Sequence, residues 1–214
     1  MRFTRLLVVC AAVAVWPAAQ AQNWEFGGGA GVGFYPSETA SVSGGSSAST
    51  GIQTNVAGSA WLGNNISSRW GGELRYDFQA GDLFVKQGGT QATFGADTQA
   101  IHYDIQWYGA PPESKVRPFL AAGAGIKVYR GTGAQVVYQP LENYVLLTKA
   151  QDLTALLSVG GGIKWQLTPR LALRLEAHDY ITPFPKQVLT ANGGVKIGSW
   201  FNDIVPMVGL SYLF

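Results

Sequence analysis

The sequence predicts an all-β fold, an eight-stranded antiparallel transmembrane β-barrel. Three observations carry that reading. First, residues 205–214 (VPMVGLSYLF) alternate, with Pro206, Val208, Leu210, Tyr212 and Phe214 on one face and Val205, Met207, Gly209, Ser211 and Leu213 on the other. A period of two is a strand, and ten residues of about 3.3 Å each, tilted about 40°, match a thin hydrocarbon layer. A free apolar edge invites aggregation, and pairing the last strand with the first removes it. Second, only 13% of the 214 residues are charged, against about 25% in ordinary domains. Yet no apolar run beyond the N-terminus reaches the ~18 residues of a membrane helix. Apolar residues at alternate positions satisfy both facts. Third, the segments between the expected strands alternate long and short, as in barrels with long outer loops and short turns at the other end.

Residues 1–21 read as a secretory signal peptide, with Arg2 and Arg5 before an apolar core at 6–16 and Ala19-Gln20-Ala21 as cleavage site. The core is too short to span a membrane. Cys10 does not make a lipoprotein signal, because Val9 precedes it where a small residue is required and too little apolar sequence lies upstream. Residues 22–214 are then the barrel domain. Without the two leader arginines, 13 basic residues balance 13 acidic ones, which argues against a nucleic-acid partner. Cys10 is the only cysteine, so the mature chain forms no disulfide.

The strands follow in order. Residues 24–35 place Trp24, Phe26, Ala30, Val32 and Phe34 outward, with Glu25 and a glycine series inward. Those glycines resemble a phosphate loop only superficially, since a Ser/Gly loop and not a helix follows. Residues 52–63 form a weaker strand with Val56, Gly58, Ala60 and Leu62 outward. Its register turns Trp61 inward, which implies either a slip or a bulge. Residues 69–79 set Trp70, Leu74, Tyr76 and Phe78 against Glu73, Arg75 and Asp77. Residues 101–108 set Ile101, Tyr103, Ile105 and Trp107 against His102, Asp104, Gln106 and Tyr108. Residues 118–129 turn Lys127 inward, 153–166 turn Lys164 inward, and 170–181 turn Arg170, Arg174, Glu176 and His178 inward. The terminal strand makes eight. Long loops are expected at 36–51, 80–93, 130–152 and 182–203, the first of them flexible and the second alternatively an extension of its strands. Trp24, Trp70, Trp107, Trp165 and Phe214 gather at one end as an outward aromatic girdle.

The cleavage site, the eight amphipathic strands and the SYLF terminus together resemble the small eight-stranded bacterial outer-membrane β-barrel family, the type that includes the transmembrane domain of outer membrane protein A. The resemblance covers essentially the whole mature chain. It implies residence in the outer membrane among its lipids and delivery by the barrel-assembly machinery, which reads the C-terminal strand. A monomer is expected. The wall-anchoring role of outer membrane protein A is not implied, because no periplasmic domain follows Phe214.

In such a barrel the inward charges collect. Glu25, Glu73, Asp77, Asp104 and Glu176 face Arg75, Lys127, Lys164, Arg170 and Arg174. Eight strands enclose just enough space for side chains, and unpaired buried charge costs several kcal/mol. A salt-bridge plug in a structural or surface-interaction protein is therefore the expected arrangement, with inward glycines leaving room for the long cations. A narrow porin-like channel or small-ligand binder is the alternative. A lipid-modifying enzyme is the third reading. His178 with Glu176 and His102 with Asp104 each share a face, but no serine stands in a recognisable nucleophile setting. No cofactor is expected, and two histidines without a cysteine argue against a metal site. Tyr144, Trp200 and Phe201 fall in expected loops and are assigned to the lipid interface.

Overall fold

A computed structural model describes residues 24–42 and 45–214; the expected signal peptide lies outside them. Fifteen strands follow in order: β1 (Trp24–Gly33), β2 (Glu38–Val42), β3 (Ser47–Ile52), β4 (Asn55–Asn65), β5 (Trp70–Ala80), β6 (Leu83–Gln87), β7 (Thr90–Phe94) and β8 (Ala96–Tyr108), then β9 (Val116–Gly131), β10 (Val145–Leu147), β11 (Gln151–Thr168), β12 (Leu171–Pro183), β13 (Leu189–Ala191), β14 (Val195–Lys196) and β15 (Trp200–Leu213). Eight of these, β1, β4, β5, β8, β9, β11, β12 and β15, close into a barrel in which each strand pairs antiparallel with the next. The ring closes where β15 returns to β1. There the Phe214 N–H donates to the Trp24 carbonyl at 3.0 Å, and the Trp24 N–H donates back at 3.3 Å. The β1–β15 register runs to Gly31↔Met207 and resumes as a bridge between Phe34 and Ile204. Pro206, which has no N–H to give, falls in that gap.

The alternation predicts the faces well. Trp70, Leu74, Tyr76 and Phe78 are exposed while Glu73, Arg75 and Asp77 between them are buried. Leu120, Leu157, Val159, Val208 and Leu210 are likewise exposed, so the outer wall is an apolar band suited to lipid. Trp61 does point inward and is buried, without a slip or bulge: β4 pairs with β1 and β5 in unbroken register.

The long connections differ from expectation. They are not open loops but a second folded layer over one mouth of the barrel. β14, β2, β3, β6 and β7 form a five-stranded sheet, and β10 pairs with β13. This hood has its own apolar core, built from Ala48, Ile52, Leu83, Val85, Phe94, Val145, Leu147 and Leu189. It continues down onto a ring cluster in the barrel mouth, where Phe201 lies 5.4 Å from Tyr35, 5.6 Å from Phe184 and 6.2 Å from Tyr129 between centroids. Tyr144 and Phe201 are thus buried in the hood and do not rest at a lipid interface; Trp200 alone of the three is exposed. The physical reason is that β15 starts at Trp200, so its alternation carries Phe201 inward above the membrane.

Two substitutions test this layout. Val208→Arg puts a charge on the exposed wall about six residues above the Phe214 end and should cost about 2–4 kcal/mol of folding into lipid, read by heat-modifiability and urea titration in vesicles. Phe201→Ala should remove about 3–5 kcal/mol of packing from the hood junction. Proteases added outside vesicles should then cut the hood while the barrel stays resistant.

Candidate functional site: the charged lumen

The lumen is filled from its wall inward. Gly27 and Gly29 on β1 and Gly209 on β15 face inward, and the space they leave is taken by the Trp61 ring. A Cβ at Gly27 would lie 2.4 Å from Trp61 Nε1, and one at Gly209 would lie 2.4 Å from its Cη2. The indole N–H donates to Ser211 Oγ at 3.0 Å, and Ser211 Oγ donates to Glu25 at 2.8 Å. With the indole laid flat against this glycine bed, its ring takes two guanidiniums, Arg174 at 4.4 Å and Arg75 at 5.0 Å from the centroid. The glycines of β9 and β11 do not make room for Arg or Lys as expected. Cβ atoms there would collide with Asp104 and His102 (Gly123, Gly125) and with His178 and Glu176 (Gly160, Gly162), so they accommodate the cross-strand acids and imidazoles.

Arg174 is the centre of the network. Its guanidinium reaches Glu25 at 2.9 Å, Glu73 at 2.5 Å and Glu176 at 2.6 Å. Arg75 shares two of these carboxylates, Glu73 at 2.8 Å and Glu176 at 2.7 Å. Lys164 stands directly opposite Arg174 in the β11–β12 register, a like-charge pair that would be unfavourable alone. Glu25 resolves it by bonding both, with Lys164 at 2.7 Å. Lys164 also donates to Tyr108 Oη at 3.0 Å and Gln106 at 3.3 Å. The side chains of Glu73, Arg75, Arg174 and Glu176 have 0% exposure.

Above this layer lie the histidines. His102 places Nδ1 3.0 Å from Asp104 and Nε2 3.0 Å from Asp77. A neutral imidazole has one N–H and can donate to only one of them; donating to both takes the imidazolium. Tyr180 Oη donates to the same Asp77 at 3.1 Å. His178 Nδ1 lies 3.3 Å from Ser158 Oγ and 3.6 Å from Asp104, and its Nε2 lies 3.9 Å from Glu176. The expected His178–Glu176 pairing is thus loose, and the closer partner is Ser158 on β11. Ser158, His178 and Asp104 bring a hydroxyl, a base and a carboxylate together, but all three are buried inside the ion network. Nearest the hood, Lys127 pairs with Asp203 and donates to Tyr35 Oη at 3.1 Å. Gln79 Nε2 donates to Asp203 at 2.6 Å.

Arg170 is a correction. It lies in the β11–β12 turn, exposed, outside the lumen, because β12 begins only at Leu171. Two lumen residues were missed. Arg117, on a β9 that starts earlier than expected, packs over the Tyr108 ring at 3.4 Å and donates to Asn65 at 2.8 Å and to the Ser68 and Ala110 carbonyls. Asp203 falls within the expected loop at 182–203, yet the inward parity of β15 runs from Ser211 through Met207 and Val205 to it. The girdle residues Trp24, Trp70, Trp107, Trp165 and Phe214 all stand exposed at the end opposite the hood, with Trp70 and Trp107 as direct cross-strand partners.

A closed eight-stranded barrel with an apolar outer wall and a charged interior defines an integral outer-membrane protein. The chain belongs to the outer membrane protein beta-barrel domain family, whose model matches residues 6–202. Among solved structures it is similar to the outer membrane protein OprG from Pseudomonas aeruginosa, at 14% identity, covering 91% of this chain and 96% of that one with a TM-score of 0.62. It is also similar to Neisserial surface protein A, at 13% identity, covering 88% and 97% of the two chains with a TM-score of 0.53. At such identities the likeness is one of fold. No curated protein matches the sequence significantly.

The network predicts a sharp contrast between two arginines on one connection. Arg174→Leu takes one of its two cations from each of three buried carboxylates and should lower stability by about 3–5 kcal/mol, whereas Arg170→Leu at the exposed turn should stay within about 0.5 kcal/mol. Urea unfolding in detergent micelles, followed by tryptophan fluorescence, reads both.

Proposed function

We propose that this protein is a monomeric structural barrel of the outer membrane, closed to ions by its salt-bridge network and presenting the hood for surface interaction. The observation that carries the reading is the complete burial of Glu73, Arg75 and Arg174, side chains that project into the lumen. A continuous water path would leave them in contact with solvent. The hood supports the surface role: it is folded and held by a core of its own, and it exposes an apolar tip at Val136, Val137 and Tyr138. Such residues on a rigid support suit contact with a partner. Residues 1–21 serve export and are removed, and the terminal strand through Phe214 is the element read by the assembly machinery. No catalytic step, cofactor or metal is part of the proposal.

Planar-bilayer recording of the refolded mature chain tests the closed lumen. The wild type should give no steady conductance, and Glu73→Ala combined with Arg174→Ala should open measurable current in protein that remains heat-modifiable. Steady, ion-selective current through the wild type would overturn the plug and favour the narrow channel.

A further inference from the structure

The end opposite the hood has a charge pattern that neither the lumen nor the girdle requires. Its three short turns expose Arg69, Lys115 and Arg170, with Glu113 as the one exposed acid among them. The hood end mixes signs, with Lys86, Lys149 and Lys186 among Glu38, Asp82 and Asp152. Each rim base is also in register with an outward aromatic. Arg69 directly precedes Trp70, whose cross-strand partner is Trp107. Its guanidinium donates to the Gly109 carbonyl at 2.6 Å, tying the first turn to the second. Lys115 precedes Val116, the partner of Trp165, and its carbonyl accepts the Gln166 N–H at 2.8 Å. The Arg170 carbonyl accepts the N–H of Leu213 at 2.9 Å, which sets this base beside Tyr212 and Phe214. The three bases therefore form an arc one step to the water side of the aromatic ring.

We infer that this rim is a binding surface for the phosphodiester headgroups of anionic phospholipid in the periplasmic leaflet. Interfacial tryptophans sit at headgroup level, so a base one residue further out stands at the phosphate. Arginine offers a phosphate a fork of N–H donors, and lysine offers a point charge. Clustered bases beside a membrane collect anionic lipid over neutral lipid. Arg117 takes no part, since its donors are used within the barrel mouth. The arc holds the barrel at a set height and enriches anionic lipid around its lower edge.

Tryptophan quenching tests this directly, because Trp24, Trp70, Trp107 and Trp165 stand at the rim, leaving Trp61 in the lumen and Trp200 at the hood. The mature chain is refolded into phosphatidylcholine vesicles containing phosphatidylglycerol, with one or the other lipid dibrominated at equal mole fraction. Brominated phosphatidylglycerol should quench as though enriched roughly twofold at the rim. That preference should vanish in the combined R69Q, K115Q and R170Q variant and shrink in the wild type near 1 M salt. Heat-modifiability confirms that the variant is folded. A variant that does not fold leaves the salt series as the deciding measurement, and a salt-independent preference would overturn the inference. So would equal quenching by the two lipids in the wild type, or a preference kept by the folded rim variant but lost on Lys86, Lys149 and Lys186→Gln.

Discussion

Arg174 is held by three carboxylates that come from three other places on the barrel wall: Glu25 on β1, Glu73 on β5 and, from its own strand, Glu176. The rest of the lumen depends on that contact. Burying four ions away from water costs several kcal/mol each, recovered only when every charge has good partners. Here each carboxylate serves two cations: Glu73 and Glu176 serve Arg75 as well as Arg174, and Glu25 serves Lys164 as well as Arg174. Trp61 supplies the remaining surface, a flat ring beneath both guanidiniums. That ring fits only because Gly27 and Gly209 have no side chain. The glycine-rich first strand thus serves the charge network, although it makes no ion pair beyond Glu25.

Charge balance extends the same constraint upward. The lumen holds Glu25, Glu73, Asp77, Asp104, Glu176 and Asp203 against Arg75, Arg117, Lys127, Lys164 and Arg174. The acids outnumber the permanent cations, and the two imidazoles stand where the surplus lies, His102 between Asp77 and Asp104 and His178 beside Asp104 and Glu176. At the top the chemistry changes. Lys127 lies about 5 Å from the Tyr35 and Tyr129 rings, and above them the packing is apolar into the hood. The column runs from ions to aromatics to an aliphatic lid, and the hood is continuous with the barrel contents.

Much of this was legible in the sequence. Alternation over the wall strands specified which side of the barrel each residue faces, because lipid outside and charge inside give period two its strongest contrast. It turned Glu25, Glu73, Arg75, His102, Arg174 and the other expected lumen residues but Arg170 inward, and it also turned Trp61 inward despite its apparent misfit. Arg170 failed because alternation says nothing about where a strand ends. Arg117 and Asp203 were missed for the converse reason: their strands run further than the lipid-facing apolar stretch. The hood was illegible because its strands are short. Leu83 and Val85, or Val145 and Leu147, are single alternating pairs, too brief to distinguish from a loop, and their core exists only when four distant connections meet. The partners inside the network were equally hidden, since which Glu meets which Arg is set by shear around the ring.

Arg174 is a dry, triply bonded cation within the barrel. Solid-state NMR of the mature barrel in lipid bilayers, with guanidinium 15N and glutamate side-chain 13C labels, tests it most directly. Through-space cross-peaks should run from Arg174 to the carboxyl carbons of Glu25, Glu73 and Glu176, each removed by the corresponding Glu→Gln variant, and the guanidinium protons should exchange slowly with water. Rapid exchange, or an Arg174 signal without carboxylate cross-peaks, would mean that water and not glutamate solvates it, and that the lumen is an open polar path.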